Sequence, residues 1–270
     1  MKNKYNINLS KKRCKELRLK LLKISQKVTA LHLGGSFSSI EILDFIYYGL
    51  LSKKDILSEK FILSKGHSAV ANYVILNQLK IISDYELDKY CTSKGTLGCH
   101  PDITTPGISA STGSLGHGLS LACGVAHYEK IISKGKINEI NVIISDGELQ
   151  EGSTWEALMM AANLELNNLN VFLDHNGSQS FGKTKITHPK FYPIDKKISS
   201  FNWHCQSLNG HNVSELMRCY ENKSQKKPNF FICNTVKGKG VRQMENDPIW
   251  HYRSPTKFEY EKAVNEIIES

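Results

Sequence analysis

The stretch that decides the fold is INVIISDGELQEGSTWEALMMAANLELNNLNVFLDHNG, residues 140–177. Residues 140–145 form a largely apolar run of the kind found in strands buried on both faces of a parallel sheet. Residues 155–166 have the pattern of a helix, and residues 170–173 that of a second buried strand. A strand, a helix and a strand in this order predict two parallel strands joined by a right-handed crossover.

Helices and strands continue to alternate outside this unit. Ser10 is expected to cap a helix running to about Ala30, the Gly34-Gly35 pair to break it, and Ser38 or Ser39 to start a second helix through residue 50. Capping boxes are predicted at Ser83/Glu86 and Ser153/Glu156. The remaining predicted elements are strands at 60–63, 203–207 and 230–235, a helix ending near 79 and a helix at 119–132.

This order of elements predicts an α/β fold: a doubly wound, mostly parallel sheet with helices on both faces. The chain has 270 residues, of which 40% are hydrophobic, and this is enough for one large core. No composition shift marks a boundary, so a single domain over residues 1–270 is expected. The seven cysteines are odd in number and include no CxxC pair, which favours neither a disulfide framework nor a structural zinc site.

Charge and hydropathy narrow the classes of partner. The net charge is +9, with basic clusters at residues 11–27 and 223–227, but no nucleic-acid-binding motif accompanies them. A basic chain can bind nucleic acid or anionic small molecules such as phosphates, but a solvated helix face is the more common reason for such charge runs. Residues 1–20 lack the apolar core of a secretory signal, and no apolar run is long enough to span a bilayer. The expectation is a cytoplasmic protein without a membrane partner.

Two polar residues follow the buried strands at the edge where open α/β sheets bind ligands. Asp146 comes directly after the first strand and Asn176 closely follows the second. A carboxylate, an amide oxygen and a nearby carbonyl are hard ligands suited to Mg²⁺, and Gly147 lets the backbone approach a diphosphate. Asp-Gly and Asn-Gly are also ordinary turn dipeptides, so these residues alone favour a plain turn.

The surrounding sequence resembles a known family. Ser145-Asp146-Gly147, followed by a helix and then Asn176, resembles the thiamine-diphosphate motif, and Leu149-Gln150-Glu151-Gly152 is typical of transketolases. Five further segments resemble transketolase segments in the same order: His32-Leu33-Gly34-Gly35-Ser36, Leu63-Ser64-Lys65-Gly66-His67, Gly98-Cys99-His100-Pro101, Gly113-Ser114-Leu115-Gly116-His117-Gly118, and Lys237-Gly238-Lys239-Gly240-Val241 with Trp250-His251. The resemblance spans roughly residues 10–255.

The resemblance implies a role for each matching residue. Asp146, Asn176 and the carbonyl of Ser178 would hold Mg²⁺, or Ca²⁺ or Mn²⁺ in its place. The residues expected to bind thiamine diphosphate are His67, Gly113, Leu115, Gly116, Asp146, Gly147, Glu148, Asn176 and His251. The residues expected to serve catalysis are His32, His67, His100 and His251, around the reacting carbon and the donor sugar, and Glu151, at a subunit interface. Imidazoles suit this work because they exchange protons near neutral pH.

The implied activity is transfer of a two-carbon ketol unit from a ketose or ketose phosphate to an aldose. Full-length transketolases continue after the segment matching Trp250-His251 into a pyrimidine-binding domain, whereas residues 252–270 are too few for one. The expected partner is therefore a C-terminal transketolase subunit that carries this domain, in an α2β2 heterotetramer. The sugars stay open, because His117 and Tyr252 replace the family's usual Gln and Gly.

Two alternatives compete with this interpretation. The chain could belong to another thiamine-diphosphate enzyme. The segment ending at His67 differs from that of 1-deoxyxylulose-phosphate-synthase-like proteins, and the α subunits of 2-oxo acid dehydrogenases lack the Leu149–Gly152 run, so both fit less well than transketolases. It could also be a non-catalytic scaffold or regulatory chain with a transketolase-like fold. Binding of thiamine diphosphate with Mg²⁺ would separate an enzyme from a scaffold.

Overall fold

A five-stranded parallel sheet lies at the centre of the computed structural model, which describes residues 5–28, 31–58, 60–135, 137–180 and 182–269. The strands of this sheet are β1 (Phe61–Leu63), β2 (Ile140–Ser145), β3 (Leu169–His175), β6 (His204–Asn209) and β7 (Asn229–Asn234). Their spatial order is β1-β2-β3-β7-β6. A separate antiparallel pair consists of β4 (Ser178–Gln179) and β5 (Gly182–Lys183).

Twelve α-helices surround the sheet in the described parts of the chain. They are α1 (Ile7–Ser25), α2 (Leu33–Ser38), α3 (Ile40–Asp44), α4 (Lys53–Ile56), α5 (Ala69–Gln78), α6 (Asp84–Asp88), α7 (Gly118–Ile132), α8 (Gly152–Asn163), α9 (Thr184–Thr187), α10 (Ile194–Ser200), α11 (Val213–Glu221) and α12 (Lys257–Glu269). None of these described helices combines the length and the apolar character needed to cross a membrane.

The strands bury side chains on both faces, as the apolar runs predict. Ile143 and Phe172 point into one apolar cluster, which also contains residues of α1, α3, α5 and α11. Val142 and Val171 point into the other, with residues of α7, α8 and α10. Successive side chains of a strand alternate between faces, so one run supplies both cores. The predicted parallel sheet with helices on both faces is confirmed.

The start of α1 differs from the prediction. Helix α1 begins at Ile7 and not at Ser10, because the Asn6 side chain accepts a hydrogen bond from Leu9 N–H (3.0 Å) and caps it. Ser10 lies inside the helix and its hydroxyl donates to Asp44. The helix ends at Ser25, and the predicted end at Ala30 lies outside the described residues.

The Gly34-Gly35 pair was expected to break a helix but lies within α2. A Cβ at Gly34 would come within 2.9 Å of the Trp250 carbonyl oxygen and 3.1 Å of Cγ of Lys237. Glycine at position 34 is therefore needed for close packing, which local propensity does not report.

One predicted capping box is confirmed and the other is wrong. Ser83 and Glu86 cap α6 reciprocally. Ser153 lies inside α8 and donates to the Gly116 carbonyl oxygen (3.0 Å) instead of pairing with Glu156. A capping box that was not predicted forms earlier in the chain, between Ser145 and Glu148.

Candidate active site

The ends of β2 and β3 bring a set of oxygen atoms together. Ser145 and Asp174 are register partners, so the residues that follow each strand emerge side by side. The Gly177 N–H donates to Asp146 Oδ2 (2.7 Å), and the Ser178 N–H donates to Asn176 Oδ1 (3.1 Å). These bonds bring the Asp146 carboxylate close to the 176–178 turn.

Asp146 is nearly inaccessible to water, and His175 forms an ion pair with it through Nδ1. Burial raises the pKa of Asp146. Burial opposes the charged form of His175, but the hydrogen bond and charge of Asp146 outweigh it and raise the pKa of His175. Each carboxylate oxygen has two lone pairs, so these contacts leave acceptor capacity for a metal ion.

Two glycines with positive φ let the loop before α7 approach the site. At Gly113 (φ +150°), a Cβ would lie 2.8 Å from the His100 ring. At Gly116 (φ +84°), it would lie 2.7 Å from Glu151 Cβ and 2.5 Å from Ser153 Oγ. Side chains at these positions would push the loop away from its neighbours. The predicted motif glycines therefore have a local steric reason.

These elements enclose a cleft of about 340 Å³. It is lined by His32, Gly35, His67, His100, Gly113, Leu115, Ser145, Gly147, Gln150, Glu151, Asn176, Ser178, Gln179, Ser180, Lys237 and His251. Most of the predicted site residues thus meet in one cavity, although they come from separate segments of the chain. Asp146 and Gly116 lie beneath its surface, both buried.

Three of the four predicted histidines form a cluster. The His32 ring centroid lies 5.4 Å from that of His67 and 5.3 Å from that of His251. Tyr252 also packs against His32, with centroids 4.6 Å apart. His100 lies apart from the cluster, against Gly113, and is exposed. The cleft therefore has imidazoles in two places on its wall.

The clustered imidazoles are neutral at neutral pH. Burial, and then the charges of His100 and Lys237, lower the pKa of His32 to about 4. Burial and Lys237 lower the pKa of His251 to about 4, and burial lowers that of His67 well below its ordinary value. A neutral imidazole has one donor and one acceptor nitrogen, so each ring can both stabilise an alkoxide and receive a proton.

Two buried lysines also face this region, and sequence reasoning gave neither a role. Lys65 forms a fully buried ion pair with Asp174 and donates to the Gly35 carbonyl oxygen (2.8 Å). Lys237 lines the cleft, is 2% exposed and contacts His251. Burial, and then the charge of Lys65, lower the pKa of Lys237 to about 8. Both lysines lie in segments that resemble transketolase segments, and this position is the sequence feature that could have suggested a role for them.

The Glu148 carboxylate, predicted to help bind the cofactor, is hydrogen-bonded to protein groups in this structure. Its side chain is fully buried and does not line the cleft. The carboxylate accepts hydrogen bonds from the Ser145 N–H, the Gly116 N–H and the Ser64 hydroxyl. Glu148 therefore ties the loop before α7 to the end of β2. Glu151, in contrast, is exposed at the rim of the cleft.

The chain matches the family model "Transketolase, thiamine diphosphate binding domain" over residues 10–256. It is 34% identical over 259 residues to one subunit of the apulose-4-phosphate transketolase of Phocaeicola vulgatus, covering 93% of this chain and 91% of that one. The chain belongs to the transketolase family. It is also 37% identical over 246 residues to 6-deoxy-6-sulfo-D-fructose transketolase subunit SqwG of a Clostridium species, covering 87% and 88%.

This chain matches less than half of the length of the longer transketolases. Human transketolase is 31% identical over 210 residues, which are 78% of this chain and 33% of the human one. The crystal structure of Campylobacter jejuni transketolase superposes with a TM-score of 0.88 at 24% identity, covering 97% of this chain and 43% of that one. The structural likeness shows the fold, and the family assignment rests on the sequence matches.

Proposed function

We propose that this chain is the N-terminal subunit of a two-chain transketolase that transfers a two-carbon ketol unit from a ketose or ketose phosphate to an aldose. One observation carries the proposal: the cleft of a transketolase-family chain has four imidazoles around it, with Asp146 and Asn176 at its base. A scaffold would have no need of a buried cation such as Lys237, which pairs with no carboxylate among the described residues, in the same cleft. We propose one domain over residues 1–270.

The residues at the base of the cleft fit a divalent metal and a diphosphate. Asp146, Asn176 and the Ser178 carbonyl form a hard oxygen set with a single carboxylate, which suits Mg²⁺ with phosphate and water completing its coordination. Ca²⁺ or Mn²⁺ would serve similarly. No cluster of three His, Cys, Asp or Glu that could hold a metal exists among the described residues. A metal site whose ligands all come from such side chains is therefore a poorer fit.

The remaining base of the cleft fits the diphosphate itself. At Gly147 an added Cβ would come within 3.2 Å of Leu115, so glycine keeps a space open there. His67 and His251 line that space, and the Lys237 ammonium supplies hydrogen-bond donors and positive charge to it. Gly113, Leu115 and Gly116 would then lie along the rings of the cofactor.

When bound, thiamine diphosphate supplies the carbanion chemistry that breaks and forms the carbon–carbon bond next to the ketose carbonyl. The chain's own residues bind, orient and exchange protons. His32 and His100 both line the cleft and would hold the donor hydroxyls. His67 and His251, being neutral, would donate hydrogen bonds to the carbonyl oxygen as negative charge develops on it.

A second chain is part of the proposal. Its support is that two relatives similar over most of their length are each named as one subunit of an apulose-4-phosphate transketolase, in Phocaeicola vulgatus and Actinobacillus succinogenes. We propose a C-terminal transketolase subunit with the pyrimidine-binding domain, assembled as α2β2, and with Glu151 at the interface. The relatives' names also suggest sugar phosphates or related anionic sugars as substrates.

Calorimetry tests the cofactor half of this proposal. Thiamine diphosphate is titrated into the chain mixed with the purified second chain, with Mg²⁺ and again with EDTA. We expect binding with Mg²⁺ and a loss of at least tenfold in affinity with EDTA. Thiamine monophosphate is the control ligand, since it lacks the terminal phosphate of the diphosphate. Equal affinity for both ligands, or indifference to EDTA, would contradict the assignment.

A further inference from the structure

Two of the seven cysteines, Cys91 and Cys99, are exposed, and both belong to one short loop. Residues 91–99 contain no helix or strand. The Cys91 N–H donates to the Leu97 carbonyl oxygen (2.9 Å), so the chain turns back on itself and brings position 91 next to positions 97–99. The other five cysteines are buried or half-buried. The two exposed thiols are therefore neighbours in the fold as well as in the sequence.

The side chains around the loop also connect the two cysteines. The ring centroid of Tyr90, the residue before Cys91, lies 6.0 Å from that of Tyr73. The Tyr73 hydroxyl donates to the carbonyl oxygen of His100, the residue after Cys99 (2.8 Å). Burial raises the pKa of Cys91, and the charge of Cys99 raises it further. The thiols are thus close enough for the charge of one to act on the other.

Cys99 contacts a histidine of the cleft. Its Sγ lies 3.2 Å from Nδ1 of His100, and both residues are exposed. With the ring proton on Nε2, Nδ1 can accept the thiol proton. The thiolate is the form of cysteine that attacks oxidants. Of the two thiols, Cys99 is therefore the one placed to react first.

The loop has room to bring the two sulfur atoms together. A disulfide requires Cα atoms within about 7 Å of each other. Gly98 comes directly before Cys99, and among the described residues a Cβ added there would meet only the His100 carbonyl oxygen, at 3.6 Å. The backbone at this position thus has open space and the conformational range of glycine. Rotations there can turn Cys99 Sγ away from His100 and towards Cys91.

We propose that Cys91 and Cys99 form a reversible oxidation site that reacts with hydrogen peroxide and, as a disulfide, displaces His100 from its position in the cleft. The Cys99 thiolate attacks one peroxide oxygen, the O–O bond breaks, and Cys99 becomes a sulfenic acid. The leaving hydroxide takes up the proton held by His100 and becomes water. The Cys91 thiol then attacks the Cys99 sulfur, the S–O bond breaks, and a second water leaves. Two thiols are oxidised to one disulfide as one peroxide is reduced.

The expected consequence of the disulfide is a loss of turnover. His100 lines the cleft, and its ring lies against Gly113, where an added Cβ would come within 2.8 Å of it. A bond from Cys99 to Cys91 removes the sulfur contact on the other side of this ring and shifts the adjoining backbone. This consequence rests on the proposed function, because it requires His100 to serve catalysis. The disulfide chemistry itself does not depend on that function.

Peptide mapping tests the disulfide directly. The reduced complex with the second chain is treated with hydrogen peroxide, which catalase then removes, and free thiols are alkylated. Trypsin cleaves after Lys94, between the two cysteines, so the disulfide would hold together two peptides that separate on reduction. Fragmentation assigns the bond to Cys99 and not to Cys123 in the same peptide. We expect the linked pair in the wild type and, in Cys91→Ser, a Cys99 sulfenic acid that dimedone traps.

Ketol transfer by the same samples tests the consequence for the cleft. Before oxidation, Cys91→Ser and Cys99→Ser should turn over like the wild type. Peroxide should lower wild-type turnover at least tenfold, and dithiothreitol should restore it. Cys99→Ser should keep its turnover after peroxide. Cys91→Ser should lose turnover without recovery, because a sulfenic acid without a second thiol is oxidised further.

The outcomes separate this inference from the proposed function. A wild-type chain in which peroxide leaves Cys91 and Cys99 unlinked, or links either one to another cysteine, would overturn the oxidation site. Full turnover of the linked form would overturn the displacement of His100. A reduced complex that transfers no ketol unit would overturn the proposed function, while the peptide map would still decide whether the disulfide forms.

Discussion

The Lys237 ammonium lies 2.9 Å from Nδ1 of His251, on the wall of the cleft. Within the described residues, Lys237 has no hydrogen bond or ion pair with a carboxylate, although it is almost fully buried. The charges of Asp174 and Asp146 favour the Lys237 ammonium, but burial outweighs them and lowers its pKa. A ligand that supplies negative charge would offset this cost. Because Lys237 donates to Nδ1, the His251 ring holds its own proton on Nε2.

Lys237→Met is expected to weaken thiamine diphosphate binding. Loss of one charge-assisted hydrogen bond costs about 1.5–3 kcal/mol, which corresponds to roughly 10- to 100-fold in affinity. Lys239→Met is the matched control, since Lys239 is close in the chain and its side chain, 41% exposed, pairs with Glu245. Calorimetry with Mg²⁺ measures both variants in the assembled enzyme. Equal loss in the two variants would contradict a specific role for Lys237.

Asp146→Asn is expected to abolish Mg²⁺-dependent cofactor binding while the chain stays folded. The change removes the single carboxylate of the oxygen set, and the amide can still accept the Gly177 N–H. The free chain should melt within a few degrees of the wild type, by circular dichroism. Unchanged thiamine diphosphate affinity in the variant complex would disprove the metal assignment.

His100→Ala and His251→Ala are expected to lower turnover by roughly 100-fold or more, the usual scale for a group that exchanges protons or stabilises developing charge. Their effects on cofactor binding should differ. His251 touches Lys237 near the proposed diphosphate position, so its loss should also weaken thiamine diphosphate, whereas loss of His100 should not. Steady-state assays and calorimetry on the same complexes measure the two effects. Near-wild-type turnover in both variants would remove their assigned roles.

The stability of the free chain should depend on pH through the clustered imidazoles. The pKa of His32 is lowered from 6.5 to about 4 in the folded chain, so below pH 6.5 the unfolded chain takes up a proton that the folded chain resists. The neutral His32 imidazole therefore makes its full contribution to the stability of the fold above pH 6.5. That contribution is lost as the pH falls towards the pKa of about 4 that His32 has in the folded chain. His32→Gln should flatten this loss, measured as urea midpoints from about pH 7.5 to 4.5. His117→Gln, at an exposed position, is the control, and identical slopes in all three proteins would refute the expectation.

The central β-α-β unit could be predicted because the sequence pattern of each of its elements lies within one short segment. Apolar runs identify β2 and β3, and parallel strands carry Asp146 and Asn176 to the same edge. The sequence motifs also identified the histidines of the cleft. These predictions needed only the patterns within short segments of this chain and the resemblance of those segments to transketolase segments.

The remaining features depend on tertiary packing. Lysine is usually exposed, so the burial of Lys65 and Lys237 could not be inferred from local composition. Gly34-Gly35 looked like a helix break because glycine has a low helix propensity. The groups that require glycine at position 34, the Trp250 carbonyl oxygen and the Lys237 side chain, are far away in the sequence. The apolar residues of α7 predict a helix that faces the core. Only the fold shows that one side of this helix is exposed to solvent.

The most direct test of the account is a ketol-transfer assay with three arms: this chain, the second chain, and their equimolar mixture. Each arm contains thiamine diphosphate, Mg²⁺, a ketose phosphate donor and an aldose phosphate acceptor, and product is followed by mass spectrometry with a labelled two-carbon unit. We predict transfer in the mixture and none above background in either chain alone. Transfer by this chain alone, at a rate that the second chain does not raise, would contradict the two-chain account.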